Sequence, residues 1–481
     1  MSYAVPFVLI TVGLPLLGAA VVATGAASTR GTTHARLVGG VVSGLVALLL
    51  ALLLVDLVVS GGGRVEDPAL ELGVLGLRPL FGLDALSAVL ALTNALTAFA
   101  VIVGAPRARD ERARIVALLL TEGLILIMLA SLDVVVLAIA FACLLIPAGV
   151  RARARREQPD PTKLYRLVLL GGAVPLAAAL ALMIFGGDQP LGPALFDLRT
   201  IAATPHPNGA VVLGLLLLAA ALRMALLPLH SWLPGMTQYG ALGSTVLLVA
   251  SQSGAYLFVR LALAWFPDSV GNLVGWLTIV GSISAAYAAL LALACDDLRR
   301  LIGWLSVSQA GLMLIGLCSL EPDGEAGTIV YWLSYGTAVT GLALTVWAVQ
   351  ARTGTTRISE LGGLVRSCPR LTVGFAAFSI ASVGFPGSLG FVAEDLLVHS
   401  VLEVHPLIGL IMIVATALNG IALIRALFLV FFGPERISAP ADLRARELCV
   451  IAGLAIVVFG LGLWPDPLVE IVDLALPSIH L

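Results

Sequence analysis

Long apolar runs constrain this chain more than any other feature. A helix that crosses a bilayer needs about 20 mostly apolar residues, and about fourteen stretches meet that rule. They lie near 5–27, 37–59, 86–105, 114–131, 132–150, 165–186 and 209–228, then near 241–262, 269–294, 298–320, 326–350, 371–402, 406–433 and 447–465. Of the 481 residues, 59% are hydrophobic and 12% charged, where soluble domains carry about 25% charged residues. No aqueous core accounts for such a composition. The expectation is an all-α polytopic membrane protein. The first stretch lacks a basic leader and is long enough to span, so it reads as a retained first helix and not a cleaved signal.

Charge alternates between the loops. Arg30 and Arg36 follow span 1. Arg107, Arg109, Arg112 and Arg114 follow span 3, and Arg151, Arg153, Arg155, Arg156, Lys163 and Arg166 follow span 5. Arg299 and Arg300 follow span 9; Arg352, Arg357, Arg366 and Arg370 follow span 11; Arg436, Arg444 and Arg446 follow span 13. The alternate loops hold mostly acids, among them Glu66, Asp67, Asp188, Asp197, Asp268, Glu321, Asp323 and Glu325. The positive-inside rule puts the basic loops in the cytoplasm. It makes this a multi-pass protein of the bacterial inner (plasma) membrane with both termini on the outer side. A net charge of -2 argues against nucleic acid as a partner. The 151–156 arginine run reads as a topology signal and lipid contact, or as a docking face for a soluble partner. The five cysteines, Cys143, Cys295, Cys318, Cys368 and Cys449, show no paired spacing. No metal site, nucleotide, flavin, haem or iron–sulfur motif is evident, so no cofactor is expected in this chain.

Two spans are interrupted. Leu227-Pro228-Leu229-His230-Ser231-Trp232-Leu233-Pro234 breaks span 7, and Gly384-Phe385-Pro386-Gly387-Ser388-Leu389-Gly390 breaks span 12. Proline removes a backbone donor, and a membrane tolerates the freed groups only where protein or a watery cavity satisfies them. Each break falls in the fourth helix of a five-helix block, the arrangement of an inverted-repeat transporter. The corresponding division is 1–113 for spans 1–3, 114–262 for spans 4–8, 263–433 for spans 9–13, and 434–481 for span 14 and the tail.

Beyond these breaks, short strings recur in order. They are Phe81-Gly82-Leu83-Asp84-Ala85-Leu86-Ser87, Ser131-Leu132-Asp133 with Leu145-Ile146-Pro147, Gly254-Ala255-Tyr256, Asp297-Leu298-Arg299-Arg300-Leu301-Ile302, Glu360-Leu361-Gly362-Gly363-Leu364, Phe391-Val392-Ala393-Glu394 and Phe431-Phe432-Gly433. With them the chain resembles the antiporter-like membrane subunits of respiratory complex I (NADH:quinone oxidoreductase), Mrp-type cation/proton antiporters and membrane-bound hydrogenases. The resemblance implies about fourteen helices and two inverted five-helix repeats, with broken helices 7 and 12. It also implies other membrane subunits as partners in a hetero-oligomeric complex within the lipid bilayer. In such subunits a glutamate on span 5 pairs with a lysine on span 7. Lysines or histidines follow on spans 8, 10 and 11, and a lysine or glutamate sits on span 12.

This chain departs from that pattern, and its single lysine is Lys163, in a loop. Counting from the shared strings puts Ala142 at the span 5 glutamate, Arg223 at the span 7 lysine, Gln252 on span 8, Gln309 on span 10 and Thr340 at or near the span 11 position. Glu394 alone keeps the family's residue type. Burial lowers a lysine's pKa and lets it relay protons, whereas arginine stays charged. The counter-ion of Arg223 is open, with Glu122 and Asp133 as candidates. His230 is a candidate for a gate or proton entry, or a structural histidine. His399 is placed in the outer half-channel or at the interface. The expected function is an antiporter-like subunit of a proton- or sodium-translocating complex whose own channel is impaired. The alternatives are a purely structural membrane-arm subunit and the transporter-like partner of an inorganic-carbon uptake system. The chain ends too soon after span 14 for the long lateral helix that marks one complex I member.

Overall fold

In hydrocarbon every backbone amide and carbonyl must be bonded within the protein, so apolar runs of this length become helices. The computed structural model describes residues 6–25, 31–61, 63–68, 80–107, 110–144, 146–147, 161–186, 196–202, 208–436 and 441–476. The 151–156 arginine run lies outside them, as do Arg30 and Arg109.

The helices are α1 Phe7–Thr24, α2 Gly31–Ser60, α3 Ala85–Gly104, α4 Glu111–Ala130, α5 Val134–Cys143, α6 Pro161–Phe185, α7 Leu198–Ala202, α8 Gly209–Met224 and α9 Trp232–Tyr239. Next come α10 Leu242–Ser251 and α11 Ser253–Leu257, which runs on into a π segment, Phe258–Leu263. Then follow α12 Pro267–Leu293, α13 Leu298–Leu317, α14 Pro322–Thr353, α15 Pro369–Ala381, α16 Leu389–Val404 and α17 Pro406–Leu427, which ends in a second π segment, Phe428–Phe432. The last are α18 Ala445–Leu463 and α19 Asp466–Ala475. Ten described helices are long and apolar enough to cross a membrane; α5, the apolar part of α6 and α8 are shorter. The interrupted span near 371–402 is two helices, α15 and α16, on either side of residues 382–388.

Burial sorts the helices. The apolar windows of α14 and of the 242–263 run are completely buried, while that of α18 is 22% buried. α10, α13 and α14 therefore form the interior, and α1, α2, α12, α17 and α18 the periphery. On α2 the exposed apolar residues Leu37, Val41, Leu45, Leu48, Leu52 and Val55 recur every three or four positions, one stripe turned towards lipid. Glycines set the closest helix contacts. A Cβ on Gly311 of α13 would lie 2.5 Å from the Gly281 carbonyl of α12.

The basic loops meet on one face. Arg36 pairs with Glu111, and Arg446 donates to the Ala105 carbonyl. Arg352 pairs with Glu447, Arg299 donates to the carbonyls of Thr237 and Gly240, and Arg436 donates to that of Ser359. The acid-rich loops meet on the other face. There Asp67 accepts from the amides of Val8 and Leu9 and so caps α1. Arg199 bridges Asp197 and Glu66. A two-stranded antiparallel pair, β1 Arg64–Glu66 and β2 Gly82–Asp84, lies on this face too. Asp84 forms a capping box with Ser87 at the start of α3 and is ion-paired with Arg260 of the first π segment. Arg260 thus answers a buried carboxylate, as a charge at that depth requires.

Candidate functional site

Three breaks interrupt the buried helices, and each is closed by side chains. At the first, α8 ends at Met224 and Ala225 takes a left-handed conformation, φ 59°. The Leu227 amide donates to Ser284 Oγ, and the Trp232 indole donates to the Leu222 carbonyl at 3.1 Å. At the second, Gln252 separates α10 from α11 with φ 42° and ψ 44°. A left-handed conformation costs a side-chain-bearing residue about 1–2 kcal/mol. Two contacts help to hold it there. Trp332 of α14 donates to the Ser251 carbonyl, and Gly254 lies so close to α8 that a Cβ would sit 2.6 Å from the Ala220 carbonyl. At the third, Gly384 has φ 61°, the Phe385 amide returns to the Ile380 carbonyl, and Gln309 Nε2 donates to the Ser382 carbonyl at 3.2 Å.

Polar groups run from the first break to the third. Arg223 is buried in the last turn of α8. Its Nε and Nη2 donate to Ser253 Oγ at 3.1 and 2.7 Å, and its guanidinium lies 4.8 Å from the Phe141 ring centre. Gly172 of α6 leaves room for both groups. Arg223, Gln252, Trp232 and Ser306 of α13 line one narrow cleft. Ser306 accepts from the Tyr335 hydroxyl of α14 at 2.6 Å. One turn further along α13 is Gln309, whose Oε1 is buried and has no hydrogen-bond partner among the described residues. Beyond Gln309 and Ser382 stands Glu394 of α16. Its carboxylate lies against Gly384, where a Cβ would come within 2.5 Å of Oε2. Tyr331 of α14 is near enough to interact with it electrostatically.

The remaining sequence candidates lie apart from this line or flank it. Thr340 is buried on α14, and its hydroxyl is 3.2 Å from that of Thr97 on α3. Glu122 is fully buried on α4, where Oε2 accepts from Ser43 Oγ of α2 at 2.5 Å. Asp133 caps α5 by accepting from the amides of Val135 and Val136. Neither carboxylate bonds Arg223; Ser253 and Phe141 occupy its near surroundings instead. His230 meets Tyr287 edge to face and Trp304 at a tilt, ring centres 5.4 and 5.6 Å away, and its Nδ1 has no hydrogen-bond partner among the described residues. His399 is 75% exposed and pairs with Glu403 one turn away.

Counting from motifs misses Ser306, Tyr335, Tyr331 and Ser382, because nothing in the sequence distinguishes them from other small or aromatic residues of the spans. Only the placement of α13 and α14 between the breaks identifies them.

Chemically, the line offers hydroxyls, amides, one fixed cation and one carboxylate. Amides and hydroxyls can order water but do not change charge at ordinary pH. Arg223 keeps its charge in any protonation cycle near neutrality. Glu394 is the group on the line able to gain and lose a proton.

Comparison with known proteins places this geometry. Residues 116–419 match the family described as "NADH:quinone oxidoreductase/Mrp antiporter, TM". The chain is 29% identical over 406 residues to the chloroplastic NAD(P)H-quinone oxidoreductase chain 4 of Cryptomeria japonica, with 80% of each chain covered. It superposes on a chain of respiratory complex I from Thermus thermophilus with a TM-score of 0.86 and 27% identity, covering 98% of this chain and 99% of that one. A chain of the Mrp complex from Dietzia sp. DQ12-45-1b shares the fold, with a TM-score of 0.85 at 22% identity over 98% and 97% of the two chains.

Proposed function

The chain belongs to the NADH:quinone oxidoreductase/Mrp antiporter membrane family, and from that premise we propose that it is an antiporter-like subunit of a multi-subunit proton- or sodium-translocating complex whose own proton path is reduced to one titratable station. One observation carries the reading. Among the described residues, the buried groups between the breaks at Ala225 and Gly384 include Arg223, Ser253, Gln252, Ser306, Tyr335, Gln309 and Ser382, and Glu394 ends the row. Ionisable relays would have to stand in that row for a proton to hop along it under coupled charge switching. Here hydroxyls and amides stand in their place and can support a water file between Arg223 and Glu394.

The finer architecture belongs to the same proposal: fourteen spans, with spans 4–8 and 9–13 forming inverted repeats. Two pairs of features support it. α8 with α9 and α15 with α16 are each a helix broken at a left-handed residue, Ala225 and Gly384. Each pair is followed by a helical run that ends in a π segment, α10 and α11 in Phe258–Leu263 and α17 in Phe428–Phe432. Repeats of this kind put broken helices at the midplane. The gathering of arginines on one face supports a cytoplasmic position for that face, with both termini outside a bacterial plasma membrane.

The test is proton uptake into liposomes holding the assembled complex and a pH-sensitive dye, with Glu394→Gln set against the native chain. Loss of flux with assembly intact supports a residual path through Glu394. Unchanged flux assigns the chain a structural role.

A further inference from the structure

On the lipid side of α2 and α3, away from the row of buried polar groups, a cavity of about 640 Å³ opens between the two helices and the start of α18. Its apolar wall is Leu37, Val41, Phe99 and Val103, and its floor is the bare backbone of Gly40 and Gly44. Both glycines shape it. A Cβ on Gly44 would lie 3.3 Å from the Phe99 ring, and one on Gly40 3.1 Å from Val103 Cγ2. At the basic face the cavity ends among Arg36, Arg107 and Arg446, with Glu111.

Among the described residues, those arginines outnumber the carboxylates that pair with them. Glu111 is shared by Arg36 and Arg114, each 2.6 Å away. Arg36 Nη1 is buried and has no hydrogen-bond partner among the described residues. Arg446 donates to the Ala105 carbonyl and lies 3.8 Å from Glu447, which Arg352 holds at 2.6 Å. Arg107 is exposed and pairs with none of the described residues. Among these described groups five guanidiniums, those of Arg36, Arg107, Arg114, Arg352 and Arg446, meet two carboxylates, Glu111 and Glu447, which leaves the mouth positive at the level where lipid headgroups lie, above a groove that admits hydrocarbon.

We propose that this groove is a binding site for an anionic glycerophospholipid of the leaflet on the basic side, its phosphate held by Arg36, Arg107 and Arg446 and one acyl chain lying over Gly40 and Gly44. Basic pockets between membrane helices recognise such headgroups through charge, and the apolar groove below gives an acyl chain a contact that a free phosphate lacks. The assignment is independent of whether the chain conducts protons.

The test uses the full chain purified in detergent with equal amounts of phosphatidylglycerol and phosphatidylcholine of matched acyl chains, and counts retained lipid by native mass spectrometry. The native chain is expected to retain phosphatidylglycerol over phosphatidylcholine. Arg107→Gln, which breaks no described contact, lowers that retention about fivefold, and Arg107→Gln with Arg446→Gln about twentyfold. Gly44→Leu fills the groove without touching charge and lowers retention of phosphatidylglycerol as well. Equal retention of the two lipids, or unchanged retention in the paired arginine variant or in Gly44→Leu, overturns the site and leaves the groove to a helix of a neighbouring subunit.

Discussion

Replacing Gly384 with alanine separates the cost of a strained backbone from the cost of displacing the carboxylate beside it. Gly384 has φ 61°, and an added Cβ would meet Glu394 Oε2 at 2.5 Å and Cδ at 2.8 Å. Relief needs a retreat of the carboxylate by about 1 Å to reach ordinary contact. Gly387 supplies the control, since its φ is 91° and its added Cβ would meet nothing nearer than Leu463 Cδ2 at 3.6 Å. Both substitutions carry the left-handed penalty of about 1–2 kcal/mol. That lowers the folded-to-unfolded ratio by a factor of roughly 5–30, readable by unfolding in mixed micelles. Only Gly384→Ala moves the Glu394 carboxylate. Positioned chemistry loses on the order of a hundredfold for a 1 Å displacement, so proton flux through the assembled complex is expected to fall about tenfold or more in Gly384→Ala and to stay near native in Gly387→Ala. Equal flux in the two variants would refute the reasoning that Glu394 works from its place against the third break.

Ser253→Ala removes the two bonds that Ser253 Oγ accepts from the Arg223 guanidinium and is expected to cost about 1.5–3 kcal/mol, the range for bonds to a charged group, measured by the same unfolding titration. Asp84→Ala leaves Arg260 buried without the carboxylate that answers it, and a loss of about 3–5 kcal/mol follows, read as reduced yield of folded protein. Gly311→Ala forces α12 and α13 apart at the Gly281 carbonyl; about 1–3 kcal/mol is expected from overpacking, seen as a lower unfolding midpoint. On the acid-rich face, burial would raise the Asp197 carboxyl, but Arg199 outweighs it and holds the group below its ordinary 3.8. That contribution is present above about pH 3.9 and is lost as pH falls through the lowered value. Because Arg199 is partly exposed, Asp197→Asn is expected to cost no more than about 1 kcal/mol at pH 7 and nothing once the carboxyl is protonated, checked by unfolding at pH 7 and through a series of falling pH.

Much of the scaffold is legible in the sequence because its physics is local. Apolar runs give the helices, and Pro228, Gly384, Pro386 and Gly387 announce two of the three breaks. The second break, at Gln252, is hidden. Glutamine is an ordinary helix former, and Gln252 leaves the helix in a setting that other helices create: Trp332 takes up the Ser251 carbonyl, and Gly254 presses against α8. The pair β1 and β2 is equally opaque, since strands of three residues are too short to show alternation. Motif counting locates Arg223, Gln252, Gln309 and Glu394, yet it cannot say what each touches. Arg223 illustrates the limit. A charge in a membrane invites a search for an opposite charge along the sequence, and Glu122 and Asp133 are the natural choices. The fold instead gives Glu122 to Ser43 and Asp133 to the amides of α5, and puts Ser253 and Phe141 beside Arg223. Which side chain lies across a helix contact depends on how the helices pack, and that information is spread over the whole chain.

The most direct test of the central claim restores what the row lacks. In Ala142→Glu with Arg223→Lys, a carboxylate and a lysine would return to α5 and α8 at the two positions where the family resemblance expects them, and a buried lysine can release its proton where arginine cannot. Proton flux through the reconstituted complex should rise above the native level in the paired variant and should not rise in Ala142→Glu alone. A native complex whose flux through this chain already equals that of the paired variant would contradict the account, because a row of hydroxyls and amides ending in Glu394 would then suffice for full conduction.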